Sequence, residues 1–125
     1  MAMTQRQALE MWRRALTAYV RGEESDMTAR QQAVMMTVAL TPGPHTVRGL
    51  AASLNIAKPA VTRALDVLEK LNYIKRTPDQ NDLRSVHIER TVDGMNWLRG
   101  FGALIVSAER DETDEKSGKS GRAVA

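Results

Sequence analysis

Apolar side chains recur every three or four residues along five segments of the chain, which is the spacing of one helix face. The five predicted helices cover residues 4–21, 27–40, 47–55, 58–72 and 92–108. In the fourth helix, Val61, Leu65 and Leu68 belong to the apolar stripe, and polar side chains occupy the opposite arc. Pro59 is tolerated only in a first turn, so this helix should begin near Lys58.

Turn residues separate these helices. Gly22 is expected to end the first helix in the left-handed conformation, and Thr41-Pro42-Gly43-Pro44 halts the second. The stretch from His45 to Val47 is too short for more than a strand stub or a helix entry, and Thr46 can cap the third helix. Only Asn55-Ile56-Ala57 separates the third helix from the fourth, which predicts a helix-turn-helix.

Behind these two helices the period of the pattern changes to two. Val86 and Ile88 alternate with polar neighbours, as in a half-buried strand. Residues 73–77 can pair with 83–90 across the turn residues 78–82. The predicted fold class is therefore mainly α with a small β-hairpin wing, a winged helix-turn-helix. We expect one domain over 1–108 with its core at 28–94, and a disordered charged tail over 109–125.

The composition is typical of one globular domain, with 125 residues, 42% of them hydrophobic and 26% charged. The absence of cysteine excludes disulfides and cysteine-based zinc sites, and it fits a reducing compartment. No apolar run approaches the roughly 18 residues of a membrane span. Glu10, Arg13 and Arg14 stand where a signal peptide would need an apolar run. We expect a cytoplasmic protein with no membrane partner.

Positive charge concentrates in the centre of the chain. Residues 45–90 contain eight Lys or Arg against five Asp or Glu, a net +3, whereas 1–44 have +1 and 91–125 have −1. This distribution favours a module that faces a polyanion. His45 and His87 lie far apart with no ligand partner at metal spacing, and we find neither a nucleophile motif nor a phosphate-binding loop. We therefore expect no enzyme, no metal and no cofactor.

Two motifs carry a resemblance to a known family. The run KPAVTRALDVLEKLNYIKR starts at Lys58, and from Arg76 the chain has the spacing Arg-x-x-Asp-x-x-Asp-x-Arg. Arg90-Thr91-Val92-Asp93-Gly94 follows where the family has Leu-Thr-x-x-Gly. Over residues 28–100 the chain resembles the MarR-type (multiple-antibiotic-resistance regulator) winged-helix transcription factors. It departs from them at Arg90, at Ala57 in place of the usual serine cap, and in lacking a second long C-terminal helix.

The resemblance implies a sequence-specific regulator of transcription that binds double-stranded DNA, a repressor rather than an activator, with the fourth helix in the major groove and the wing in the minor groove. The planar fork of Arg63 fits guanine, and Arg84 should enter the minor groove, paired with Asp79 or Asp82. Asp66 should accept from cytosine or hold Arg63. The other candidate contacts are Arg48, Lys58, Pro59, Ala60, Thr62, Lys70, Lys75, Arg76, Gln80 and Asn81.

The first and last helices carry more apolar side chains than a small module should expose, which favours a twofold dimer on a pseudo-palindromic site. The candidate dimer residues are Leu9, Trp12, Leu16, Tyr19, Trp97, Phe101 and Ile105. These residues could instead fold back onto their own domain. An architectural nucleoid protein and a protein–protein interaction module are the alternative functions. A small-molecule effector is compatible with the function of a transcription regulator.

Overall fold

The computed structural model describes residues 2–82 and 84–116, with side chains described as far as 109. Five helices and one hairpin make up this part of the chain. They are α1 (Gln5–Arg21), α2 (Ala29–Leu40), α3 (Val47–Leu54), α4 (Lys58–Lys70), β1 (Ile74–Pro78), β2 (Val86–Arg90) and α5 (Val92–Lys116). They form two compact units, Met27–Leu98 and Met1–Asp26 with Arg99–Ala125, and the first brackets the predicted core 28–94.

The unit Met27–Leu98 is a winged helix built on an aliphatic core. Val34, Met35, Leu50, Val61 and Leu65 from α2, α3 and α4 are all fully buried. Burial of each such side chain stabilises the fold by about 1.5–3 kcal/mol. The polar arc of α4 lies opposite this core. The outer face of the helix is therefore exposed to solvent, as its sequence pattern predicts.

Side-chain caps fix where two of these helices begin. Thr28 accepts from the backbone N–H of Gln31 at 3.1 Å, and the Gln31 side chain accepts from the N–H of Thr28 at 3.0 Å, so α2 starts with a capping box. Thr46 accepts from the N–H of Gly49 at 3.0 Å, as predicted for α3. Ala57 precedes α4 and makes no such bond.

The wing is a two-stranded antiparallel hairpin in which Ile74 pairs with Arg90 and Pro78 with Val86. Ile74 and Ile88 are buried on its inner face. The carbonyl of His45 accepts from the N–H of Ile88 at 2.9 Å, so the predicted stub is a one-residue third strand. This bridge attaches the wing to the start of the helix-turn-helix.

The motif Thr91-Val92-Asp93-Gly94 fastens α5 to the end of α4. The Thr91 hydroxyl donates to the carbonyl of Asn72 at 2.6 Å and accepts from the N–H of Gly94 at 2.9 Å. A Cβ at Gly94 would collide with the carbonyl oxygen of Tyr73. The threonine therefore caps the helix, and the glycine lets it approach the chain closely.

Arg90, which replaces a leucine of the resembled family, has a polar role in this fold. Its Nη1 donates to the carbonyl oxygen of Ala39 at 2.6 Å. That carbonyl belongs to the last turn of α2, where helix carbonyls lack partners of their own. A cation there also complements the helix dipole.

In the second unit, α1 begins with a capping box on Thr4 and packs through aromatic side chains. The ring of Phe101 meets Trp12 and Tyr19 edge to face, with centroids 6.0 and 5.4 Å apart. The Tyr19 hydroxyl donates to the carbonyl of Ser25. These contacts lie within the chain itself.

Two expectations at helix ends are wrong. Gly22 is extended, with φ −75° and ψ −176°, rather than left-handed. The last helix does not stop at residue 108 but runs to Lys116, so the charged segment from 109 is helical that far, and 117–125 lie outside the described residues. Leu83, which was predicted to lie in the second strand, is also outside them.

No described helix has both the length and the apolarity needed to cross a bilayer.

Candidate nucleic-acid interface

The outer arc of α4 is an open polar surface. Its exposed side chains are Lys58, Pro59, Thr62, Arg63, Asp66 and Lys70, all of them predicted contact residues. Ala60 is an exception, because it is only 8% exposed. The predicted contact of Ala60 with a thymine methyl is therefore not available.

Three cations from three separate elements meet beside the start of α4. Arg48 from α3, Lys58 from α4 and Arg84 from the wing line one cleft of about 670 Å³, which we call the wing-side cleft. Asp82 is the one carboxylate on its lining. The cleft therefore has an excess of positive charge at the N-terminal end of the helix.

The two wing aspartates shape the backbone of the wing rather than hold an arginine. Asp82 accepts from the backbone N–H of Arg84 at 3.0 Å and from the hydroxyl of Ser85 at 3.2 Å. Asp79 accepts from the N–H of Asn81 at 2.9 Å. Within residues 2–82 and 84–116, the Arg84 guanidinium makes no ion pair with either aspartate. The predicted Asp–Arg84 pair is wrong, because both carboxylates are engaged in the turn.

His87 and the wing tip complete this element. His87 Nε2 lies 3.5 Å from Asp79 Oδ2 across the hairpin. Gln80 and Asn81 are exposed at the tip, and their contact with a sugar-phosphate stays a prediction. The other histidine, His45, contacts the carbonyl of Thr41 at 3.0 Å.

Asp66 pairs with β1, not with Arg63. Its Oδ1 accepts from Arg76 Nη2 at 2.6 Å, and Arg76 Nε lies 3.6 Å from Glu69 Oε1, too far for a hydrogen bond. Arg76, which was predicted to contact phosphate, therefore ties β1 to α4 and neutralises an acid on the open arc. Lys75, also on β1, lies 3.9 Å from Glu89, and such an exposed pair adds about 0–1 kcal/mol.

A second cleft, of about 330 Å³, lies along the other flank of α4, and we call it the α2-side cleft. Its lining residues are Thr28, Arg30, Gln31, Ala60, Arg63, Ala64 and Val67. Two arginines and no carboxylate belong to this lining. Arg30 was not among the predicted contact residues, because nothing in its local pattern connects it with α4, about 30 residues further along the chain.

The arginines of the winged-helix unit divide into two groups. Arg76 and Arg90 are engaged by an aspartate and by a helix carbonyl. The other four line the two clefts that flank α4, and in the described part of the chain none of them has an acidic partner. These four are Arg30, Arg48, Arg63 and Arg84.

The candidate dimer residues fall into two groups. Tyr19, Trp97 and Phe101 are buried within their own chain. Leu9 is 69% exposed and Trp12 41%, while Leu16 and Ile105 are half-buried. Val20 and Val106, which were not among the candidates, add exposed apolar area in the same unit.

Comparison with known proteins identifies the winged-helix segment. Residues 27–86, from α2 to the start of β2, match the family model of the MarR family. The fold is similar to that of a single-residue mutant of MepR from S. aureus, with TM-score 0.72 and 22% identity over 91% of this chain and 85% of that one. It is also similar to MepR in the S. aureus MepR–DNA complex, with TM-score 0.67 and 20% identity over 90% and 86%. For the transcriptional regulator Tm0710 from Thermotoga maritima the values are 0.63 and 21% over 94% and 74%. These likenesses show the fold.

Proposed function

We propose that this chain, whose residues 27–86 match the MarR family model, is a DNA-binding regulator of transcription that recognises a specific sequence. The domain match and the similarity to MepR, whose complex with DNA has been solved, support the DNA-binding part. The distribution of charge around α4 supports the assignment of the binding face.

The observation that carries the proposal is the wing-side cleft. Three cations from α3, α4 and the wing converge on this cleft: Arg48, Lys58 and Arg84. Their three positive charges exceed the single negative charge of Asp82 on the same lining. A surface that collects unpaired cations from separate elements is suited to a polyanion, and the phosphates of DNA supply one. With α4 in the major groove, the cleft would receive the adjacent backbone.

Base readout falls to the outer arc of α4. An α-helix fits the major groove of about 12 Å, and the Arg63 fork can bind guanine O6 and N7. Thr62 and Pro59 lie on the same open arc. The Arg76 pair removes much of the repulsion that Asp66 would exert on phosphate. Lys70, also exposed, is a backbone contact that orients the helix without specifying a base.

The finer part of the proposal is a twofold dimer that represses transcription. Leu9 and Trp12 on α1 and Val106 on α5 leave an apolar surface that a second copy can cover. Such a dimer presents two α4 helices, which suits a pseudo-palindrome with half-sites one turn, ~34 Å, apart. A dimer on such a site would exclude other proteins from the same DNA, which favours repression.

The test is selection of bound duplexes from a random pool, followed by affinity measurements on the selected site and on a scrambled duplex across a range of salt. We expect the selected site to bind at least roughly 10³-fold more tightly, with a steep fall of affinity in salt. A ratio near one would make the protein architectural. Weak binding without salt dependence would favour a protein–protein interaction module.

A further inference from the structure

The α2-side cleft brings together two arginines with nothing on its lining to neutralise them. Arg30 lies in the first turn of α2 and Arg63 in the second turn of α4, and both side chains are exposed. The lining contains no Asp or Glu. An anion bound in this cleft would therefore meet the positive charge of both arginines.

The side-chain oxygens of the other two polar residues of this cleft are already engaged. The side chains of Thr28 and Gln31 bond to each other's backbone N–H groups in the capping box of α2. Arg30 makes no ion pair with any residue that the structure describes. Its guanidinium is therefore a group with several free donors, and its planar fork matches the geometry of phosphate.

The two clefts lie on opposite flanks of the same helix. Lys58 on the wing-side cleft and Val67 on the α2-side cleft are nine residues apart, which places them about 180° apart around α4 at ~100° per residue. The exposed arc with Thr62 and Asp66 lies between them. The two flanks of a helix seated in the major groove face the two sugar-phosphate backbones that border it.

We propose that Arg30 binds a backbone phosphate of the DNA strand on the side of α4 away from the wing. The inference rests on the proposed function, since it requires α4 to enter the groove. It extends the contact surface to α2, so that Arg48, Lys58 and Arg84 hold one backbone while Arg30 holds the other.

Arg30 and Arg63 share a cleft but differ in role. Arg63 belongs to α4 itself and can reach a base edge, whereas Arg30 belongs to α2, which is not the helix proposed to enter the groove. A phosphate contact positions the protein without reading sequence. Loss of Arg30 should therefore weaken binding to every duplex by the same factor.

The experiment compares Arg30→Ala, Arg30→Lys and Arg21→Ala in the full chain. Each is measured with the selected duplex and with a scrambled duplex across a range of salt. Arg21 is an exposed arginine at the end of α1 that lines neither cleft, so its loss changes net charge equally. We expect Arg30→Ala to weaken both duplexes roughly tenfold and to lower the salt slope by about 0.9. Arg30→Lys should keep the slope, and Arg21→Ala should match the wild type.

The outcomes separate the inference from the function on which it rests. A wild-type protein that binds no DNA would remove both. A wild type that binds with a steep salt dependence, together with an Arg30→Ala slope equal to that of Arg21→Ala, would overturn the Arg30 contact alone. Loss confined to the selected duplex would also overturn it, because that result would make Arg30 a base reader. Thermal unfolding of each variant establishes that the fold is intact.

Discussion

At Gly94 a single missing methyl group determines how closely α5 approaches the hairpin. A Cβ there would meet the carbonyl oxygen of Tyr73 and the methyl group of Met35, one of which is backbone and cannot move freely. We expect Gly94→Ala to lower the free energy of unfolding by about 1–3 kcal/mol, as overpacking does in cores. Urea denaturation followed by circular dichroism measures the loss.

Gly100 supplies the matched control for that change. It lies in the same helix, and a Cβ there meets nothing within 4 Å. Gly100→Ala should raise the free energy of unfolding by about 0.5–1 kcal/mol, because alanine loses less backbone entropy in a helix. Equal effects of the two substitutions would contradict the close approach at Gly94.

The pair of Asp66 with Arg76 suits a double-mutant cycle on DNA affinity. Arg76→Ala should weaken binding to all duplexes by roughly three- to tenfold, because Asp66 would then repel phosphate without neutralisation. Asp66→Ala added to Arg76→Ala should restore most of that loss. Affinities are measured by fluorescence anisotropy with a labelled duplex.

Lys75→Ala is the comparison for this cycle, since Lys75 also lies on β1 and also pairs with an acid, Glu89. It should weaken binding less than Arg76→Ala. Additive effects of Asp66→Ala and Arg76→Ala would mean that the pair does not act as a unit. The sequence alone could not choose this partner for Asp66, because Arg63 is nearer in the chain and Arg76 becomes adjacent only when β1 packs beside α4.

At the scale of the element, α4 begins without a side-chain cap. Ala57 has the extended conformation of a cap residue, φ −71° and ψ 149°, but no oxygen to accept from the helix. Ala57→Ser should therefore raise the free energy of unfolding by about 0.5–1 kcal/mol. Thr46→Ala, which removes the existing cap of α3, should lower it by a similar amount in the same urea titration. No change in either variant would show that water satisfies the first backbone N–H groups of these helices equally well.

Elements were predictable where local pattern and capping agree. The apolar stripes, with Thr46 as the predicted cap of α3, located the starts of α2, α3 and α5 to within two residues. The end of α5 was not predictable from periodicity, because residues 109–116 have no apolar stripe yet consist mostly of good helix formers. The end of α1 was placed correctly at Gly22, although its backbone conformation was not.

At the scale of the whole molecule, only folding reveals which charges act together. Dividing the sequence into blocks assigned the positive excess to residues 45–90 and left Arg30 outside. In the fold, Arg30 shares a cleft with Arg63, and Arg48 shares one with Arg84. Residues far apart in the chain thus form two patches on either side of one helix. Helical periodicity could locate the face of α4, but not its neighbours.

The number of copies of the chain that bind DNA together is also a property of the whole molecule. Leu9 is 69% exposed on α1, and its loss should not disturb the buried ring contacts of Tyr19 and Phe101. If a second copy covers this surface, Leu9→Arg places a charge in an apolar interface that offers it no partner. We expect sedimentation to give a dimer for the wild type and a monomer for Leu9→Arg at micromolar concentration. The variant should bind the selected duplex with the affinity of a single half-site.

Val92→Arg provides the control for that change, since Val92 is 76% exposed but lies at the start of α5 in the winged-helix unit. It should remain a dimer, because the residues of the proposed interface, Leu9, Trp12 and Val106, belong to the other unit. A monomeric wild type would remove the dimer and, with it, the expectation of two half-sites. A dimer that survives Leu9→Arg would instead place the interface elsewhere, and the selected duplexes would still show whether two copies of α4 bind one helical turn apart. The symmetry of the DNA site and the state of the protein are thus two independent measurements of the same assembly.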